Sequence, residues 1–341
     1  MAQYFVKQLL LSTLLLNSAF ARADTKSKSE PGDAAIGSEA ILRTEGPLVD
    51  MRLNADKTLM AFVDHRGQSL RILDLNTQDV YELTPHRVGS AYFWSPDGKR
   101  LFFRELIRDG KKVTSEVKAY DTVLHKSIAL DRFTGSSGFL TLDPRDYTYY
   151  MMHEKGIASR RLDFPGERFA RWQERAKKTI DLGRYIATQK SILWLSDLGL
   201  TLSTLKDDVS GVESFDISPD GTTIAWATAK NQIFISHLGE TPKRLGPGRD
   251  PRWHESRSLL LYSAGRVVGD KVYDYDIRIS DVKGEGRFLT NTPDIKERWP
   301  QWWTDSNVLY TRESSTDLWK LQYRDSGEMT ASSPNSKSVN Q

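Results

Sequence analysis

The sequence predicts an all-β repeat fold, a β-propeller of four-stranded antiparallel blades, seven by count, and three observations carry that prediction. Short apolar runs punctuated by Gly, Pro, Asp and Asn recur along the chain while helix signals are scarce. A strand end, a tight turn and a second apolar strand recur at spacings near forty residues. A second turn signal alternates with the first throughout.

The first turn is clearest at Trp94-Ser95-Pro96-Asp97-Gly98-Lys99-Arg100-Leu101-Phe102-Phe103 and at Ile217-Ser218-Pro219-Asp220-Gly221-Thr222-Thr223-Ile224-Ala225-Trp226. Pro pre-sets φ for the second turn position, Asp bonds nearby backbone, and Gly accepts φ > 0 where the chain reverses. Weaker copies begin at Leu53-Asn54, Leu142-Asp143, Asp181, Trp253-His254 and Trp303-Thr304. Taking the Ser95 equivalent as a marker gives positions 54, 95, 143, 181, 218, 254 and 304, and gaps of 41, 48, 38, 37, 36 and 50. The copies at 54 and 181 are degenerate, so six units as well as seven fit the pattern.

The second turn follows each marker, at Asp74-Leu75-Asn76, Asp121-Thr122, Asp163-Phe164-Pro165-Gly166, Asp197-Leu198-Gly199, His237-Leu238-Gly239, Asp281-Val282-Lys283-Gly284 and Asp325-Ser326-Gly327. These read as hairpins. Roughly 40 residues and four short strands per unit are the dimensions of a propeller blade. One unit alone has two open faces and cannot bury a core, whereas an array can. Ala40-Ile41-Leu42-Arg43, ahead of the first marker, is expected to supply the outermost strand of the last blade and close the ring.

The chain ends read differently. Lys7 precedes an apolar run from Leu9 to Leu16, too short to span a bilayer, which leads to Ala21-Arg22-Ala23, a small-x-small cleavage pattern. Residues 1–23 are read as a signal peptide, 24–38 as a flexible leader, 39–330 as the propeller and 331–341 as a disordered tail. This predicts a periplasmic or secreted protein cleaved near Ala23. Loss of Lys7 and Arg22 takes the formal charge from +3 to +1, which offers no whole-chain attraction for nucleic acid or anionic membrane. The chain has no cysteine, which excludes disulfides, thiolate metal sites, a thiol nucleophile and attachment of lipid through an N-terminal Cys.

The Ser-Pro-Asp-Gly units, with Trp just before them and strand ends such as Leu83-Thr84 and Leu289-Thr290-Asn291-Thr292-Pro293, resemble the TolB-type propeller repeat. The resemblance covers residues 48 to about 325. It implies a propeller fold. The family's namesake works with an envelope-spanning complex in the periplasm and binds a peptidoglycan-associated lipoprotein. That protein carries an α/β domain ahead of its propeller, where this sequence has only the leader, so the domain is expected to be missing here. The same repeat forms the propeller of some serine peptidases, whose hydrolase domain does not fit in this length.

Catalytic constellations are not evident in the sequence. Gly-x-Ser-x-Gly, phosphate-cradling Gly loops and His-Glu-x-x-His do not occur. His153-Glu154 follows an apolar strand and has only His125 within thirty residues, so no zinc role is expected. Asp270, Asp274, Asp276 and Asp281 suggest calcium, but two alternate with Tyr on a strand and two lie at its turns, without EF-hand spacing. The basic stretch Arg160–Lys178 reads as a solvated blade edge around Pro165-Gly166 rather than an amphipathic helix. Trp94, Trp253 and Trp303 read as one packing residue per blade, and Trp299, before Pro300, as the aromatic at a binding face.

The leading expectation is therefore a non-catalytic, monomeric scaffold without cofactor or metal, binding an envelope protein or peptide. Loops that lead into the innermost strands offer it His86, Arg87, Glu213, Arg249, Asp250, Lys296, Glu297, Arg298 and Trp299. This mixture of charges suits a polar peptide or protein surface better than lipid or nucleic acid. The alternatives are a propeller-type glycan lyase or hydrolase, a small-molecule-binding envelope protein, and a structural envelope component. His86 and His254 sit near the channel loops; the other four histidines fall elsewhere.

Overall fold

Alternating apolar residues and Asp-rich turns produce short antiparallel strands throughout a computed structural model. It describes residues 35–64, 67–90, 92–135, 138–153, 156–162, 183–196, 202–205, 211–268 and 271–324. The chain divides into two units, Met1–Gly32 and Asp33–Gln341, and every described element belongs to the second. The signal-peptide reading, residues 24–34 of the leader, the marker at Asp181, the turns at Asp163, Asp197 and Asp325, and the 331–341 tail lie outside the described residues.

Strand β1 (Ala35–Arg43) is followed by a four-stranded meander, β2 (Val49–Leu53), β3 (Leu59–Val63), β4 (Leu70–Asp74) and β5 (Val80–Thr84). A second meander contains β6 (Tyr92–Trp94), β7 (Arg100–Asp109), β8 (Lys112–Asp121) and β9 (Lys126–Thr134). Two three-stranded sheets come next: β10 (Leu140–Leu142), β11 (Thr148–His153) and β12 (Gly156–Arg161), then β13 (Arg184–Ala187), β14 (Ile192–Leu195) and β15 (Leu202–Leu205). A seven-stranded sheet follows, with β16 (Val212–Ile217), β17 (Thr223–Thr228), β18 (Gln232–His237), β19 (Lys243–Trp253), β20 (Leu259–Val268), β21 (Lys271–Asp281) and β22 (Gly286–Phe288). The last sheet joins β23 (Glu297–Thr304), β24 (Asn307–Arg312) and β25 (Asp317–Tyr323) to β1, with Ala35 opposite Tyr323 and Arg43 opposite Asp317.

The expectation of a ring of seven four-stranded blades is thus corrected: the described strands form six sheets of three to seven antiparallel strands, and none of these sheets closes into a ring. The physical cause is local at β19. Its first half pairs with β18 and its second half with β20, so the units marked by Ser218 and His254 share one sheet. The two halves of this sheet then pack on each other through Ala225, Ile233, Trp253, Leu260 and Tyr262.

The core lies between successive sheets. Val63, Ile72, Leu101 and Phe103 join the first meander to the second, and Phe102, Val117, Tyr149 and Met151 join the second to β10–β12. Met60, Phe62, Leu309 and Leu318 bring the last sheet against the first meander.

The marker turns show why the repeat is built as it is. Ser95 Oγ accepts the Arg100 N–H at 2.8 Å and donates to Asp97, while the Gly98 N–H bonds the Ser95 carbonyl at 2.9 Å. Ser218, Asp220 and Gly221 repeat these bonds, and both glycines have φ near +70°. In the degenerate first copy, Asn54 Oδ1 takes the serine's place and accepts the N–H groups of Thr58 and Leu59.

Candidate functional site

The innermost strands carry a second regularity. In β2, β19 and β23 the pairing slips after Val49, Arg249 and Arg298, and the next residue has positive φ: Asp50 at 49°, Asp250 at 57° and Trp299 at 53°. Each slip is a bulge that redirects the following side chains.

Around the leading halves of these strands the structure brings together five of the nine expected site residues. Arg298 donates to both carboxylate oxygens of Asp250, at 2.7 and 3.2 Å, and the Trp299 N–H adds a bond of 3.2 Å. Both partners of that ion pair are about 5% exposed. Burial works against the Asp250 charge, but Arg298 and the N–H of Trp299 hold its pKa below the ordinary carboxylate value. The Arg298 guanidinium lies 4.5 Å from the Trp299 ring and 5.3 Å from that of Tyr275. Arg249 pairs with Glu213 at 3.2 Å.

The other four are placed differently. Lys296 is exposed and pairs with Glu313 at 3.0 Å. Glu297 is fully buried and accepts the hydroxyls of Thr290 and Thr292, facing the interior beside Asp276. His86 and Arg87 are exposed on the connection between β5 and β6. Of the acidic cluster, Asp274 and Asp276 are buried and pair with Arg266, while Asp281 caps its own turn by accepting the N–H groups of Lys283 and Glu285.

The trailing halves of the innermost strands surround a cavity of about 460 Å³. Six strands from five sheets contribute to it: β2, β6, β10, β16, β19 and β23. Arg52, Asp216, Arg252 and Gln301 supply its polar groups from within the strands, and Lys57 and Glu255, paired with each other, come from the turns. Phe93, Trp94, Leu142, Trp253 and Trp302 make apolar walls. Arg252 Nη2 reaches across to Asp50 Oδ1 at 2.5 Å, and the Tyr92 hydroxyl donates to the Asp50 carbonyl. Asp216 Oδ2 accepts the Trp253 N–H at 2.7 Å. Burial raises the Asp216 pKa above the ordinary carboxylate value, and Arg252 and Arg52 only partly offset this. Such a site can hold a ligand that presents acceptors to the guanidinium groups and apolar surface to the indoles.

Sequence reasoning placed the binding groups on the leading halves and missed Arg52, Asp216 and Arg252. A signal was present, since these three all stand two residues before a marker. The tryptophan register also needs correction. Trp302, not Trp303, is the equivalent of Trp94 and Trp253: it is 6% exposed, and its indole N–H bonds the Arg252 carbonyl as theirs bond Arg52 and Asp216. A second slip in β23, between Trp302 and Thr304, adds one residue that simple spacing does not reveal.

The sequence matches no family model and no curated protein. Among solved structures, the β-propeller domain of Cps50 (Swd1) from Myceliophteria thermophila is 13% identical with a TM-score of 0.55, over 84% of this chain and 99% of that one. The likeness is one of fold, a β-propeller. A putative gluconolactonase is also 13% identical, with a TM-score of 0.50, over 86% of this chain and 93% of the other. TolB from Acinetobacter baumannii is 14% identical with a TM-score of 0.45 over 83% of this chain, which spans 56% of the TolB chain. Among the described residues no helix is long and apolar enough to cross a membrane.

Proposed function

We propose that the chain is an exported, non-catalytic binding propeller that takes a segment of a protein or peptide partner of the cell envelope into the cavity between its innermost strands. The observation that carries this reading is the convergence of side chains from five sheets on one cavity that mixes guanidinium groups, a carboxylate and indole walls. Binding sites combine an apolar lining with a few placed polar groups in this way. The signal-peptide pattern of residues 1–23 supports the location.

Site-specific photo-crosslinking in the source cell tests it. A photoreactive residue at Ala55, on the cavity wall, is expected to form an adduct with a discrete envelope protein, while one at Lys296 on the leading end is not. Adducts confined to Lys296 would move the binding surface to the residues around Arg249. Folded, exported protein with adducts at neither position would overturn the partner reading. The cavity volume is also within the span of small-ligand sites, roughly 300–1,000 Å³. This favours, as the second reading, a propeller that binds or cleaves a small molecule or glycan; turnover of such a compound by the purified protein is its test.

A further inference from the structure

We infer that the cavity recognises a carboxylate, received by the guanidinium groups of Arg52 and Arg252, on a ligand whose apolar body lies against Trp94 and Trp253. The inference deepens the proposed binding role and rests on its choice of cavity.

Arg252 is 6% exposed, so its charge is largely withdrawn from water. Its Nη2 bonds Asp50 and its Nη1 the adjacent Pro251 carbonyl, but its Nε has no partner. Arg52 occupies the equivalent strand position in another sheet. Among the described residues its guanidinium makes one hydrogen bond, a long 3.4 Å contact from Nη2 to the Ser90 carbonyl, and its Nε has no partner there. The guanidinium lies 5.1 Å from the centre of the Tyr92 ring, a cation–π contact that orients it without using its donors. Each guanidinium carries five N–H donors; both Nε atoms are shut off from solvent, so the Nη donors beyond those three bonds are what a ligand in the cavity would meet.

The acids nearby do not absorb this surplus. Glu255 is engaged by Lys57. Asp216 forms no ion pair among the described residues, and one of its oxygens is taken by the Trp253 N–H. Planar, donor-rich guanidinium groups in a partly dry cavity match the two oxygens of a carboxylate. A chain-terminal carboxylate of a peptide and a small organic acid share this chemistry.

The test is isothermal titration of the mature chain, residues 24–341. Three probes are used: an N-acetylated apolar tripeptide with a free C-terminus, the same tripeptide amidated, and phenylbutyrate. The free acid of the tripeptide is expected to bind about 10–100-fold more tightly than its amide, and Arg52→Gln to remove that difference. Arg52 is half-buried and forms no ion pair among the described residues, so this variant spares the fold where Arg252→Gln risks it; circular dichroism verifies that. Asp216→Asn is expected to tighten binding of the acid. Phenylbutyrate binding as tightly as the tripeptide, with the same dependence on Arg52, would uphold the carboxylate site and assign it to small acids instead of a peptide partner. Acid and amide binding equally, unchanged by Arg52→Gln, would overturn the carboxylate inference and leave peptide binding standing. Folded protein that binds none of the probes at millimolar concentration would overturn the inference, while the crosslinking experiment still decides the partner reading.

Discussion

The indole N–H groups of Trp94, Trp253 and Trp302 each bond the carbonyl of a residue on a neighbouring innermost strand, at 2.8 to 3.1 Å. Each Trp therefore fixes the spacing between two strands and orients the cavity residue whose carbonyl it holds. Trp253→Phe keeps most of the packing and loses the bond, so it should lower the unfolding free energy by about 1 kcal/mol in urea titrations. An unchanged midpoint would show that the bond contributes nothing net. Two buried carboxylates respond oppositely to pH. Burial raises the Glu297 pKa above 4.5, so its ionised form costs stability, and that cost appears as pH rises from 4.5 through the folded-state pKa. Glu297→Gln should therefore gain stability relative to the parent at pH 8 compared with pH 5, measured by thermal melting. A pH-independent difference would show that the Glu297 pKa is the same in the folded and unfolded protein. Asp250 is held below 3.8, so its contribution is present above that value and is lost as pH falls through the lower folded-state pKa.

The strand bulges are the devices that turn a repeat into a site. Asp at positive φ is tolerated because its short polar side chain bonds locally, and here the same residue also neutralises Arg298. Asp250→Ala should cost about 3 kcal/mol, since it leaves a buried guanidinium with only the part-exposed Glu313, 3.4 Å away, as counter-ion. Asp250→Asn, which accepts the same backbone conformation and retains an acceptor, should cost less; chemical denaturation of the two variants gives the ordering, and equal losses would refute this account. The turns were legible in the sequence because Ser-Pro-Asp-Gly chemistry is local. The bulges were not, because a slip of register is defined by the partner strand. Pro247 and Gly248 lie within β19, which runs unbroken from Lys243 to Trp253. The TolB-type repeat likewise foretold the strand content but not this fusion.

Turns as well as cores make contact between sheets. Gly98 and Gly221 share φ near +70°, but a Cβ at Gly221 would come within 2.5 Å of Arg145 Nε, whereas one at Gly98 would stand 3.2 Å from its nearest neighbours. Arg145 is 2% exposed and is fixed by Asp143 and the Gly183 carbonyl, so it has little room to move. Gly98→Ala should cost about 1 kcal/mol for the backbone alone, and Gly221→Ala clearly more. Equal losses would mean that Arg145 yields freely. Cavity residues were hidden at this scale for a related reason: the contact between Arg252 and Asp50 spans 202 positions, which no window of sequence can display. The pairing of β1 with β25 spans a still greater separation, and its antiparallel sense has a mechanical outcome. Ala35 and Tyr323 sit opposite each other at one end of the ladder, so the chain leaves on both sides from the same point. Tension between the segments before Ala35 and after Tyr323 would load those hydrogen bonds one after another, peeling the strand away at low force instead of shearing the whole ladder at once.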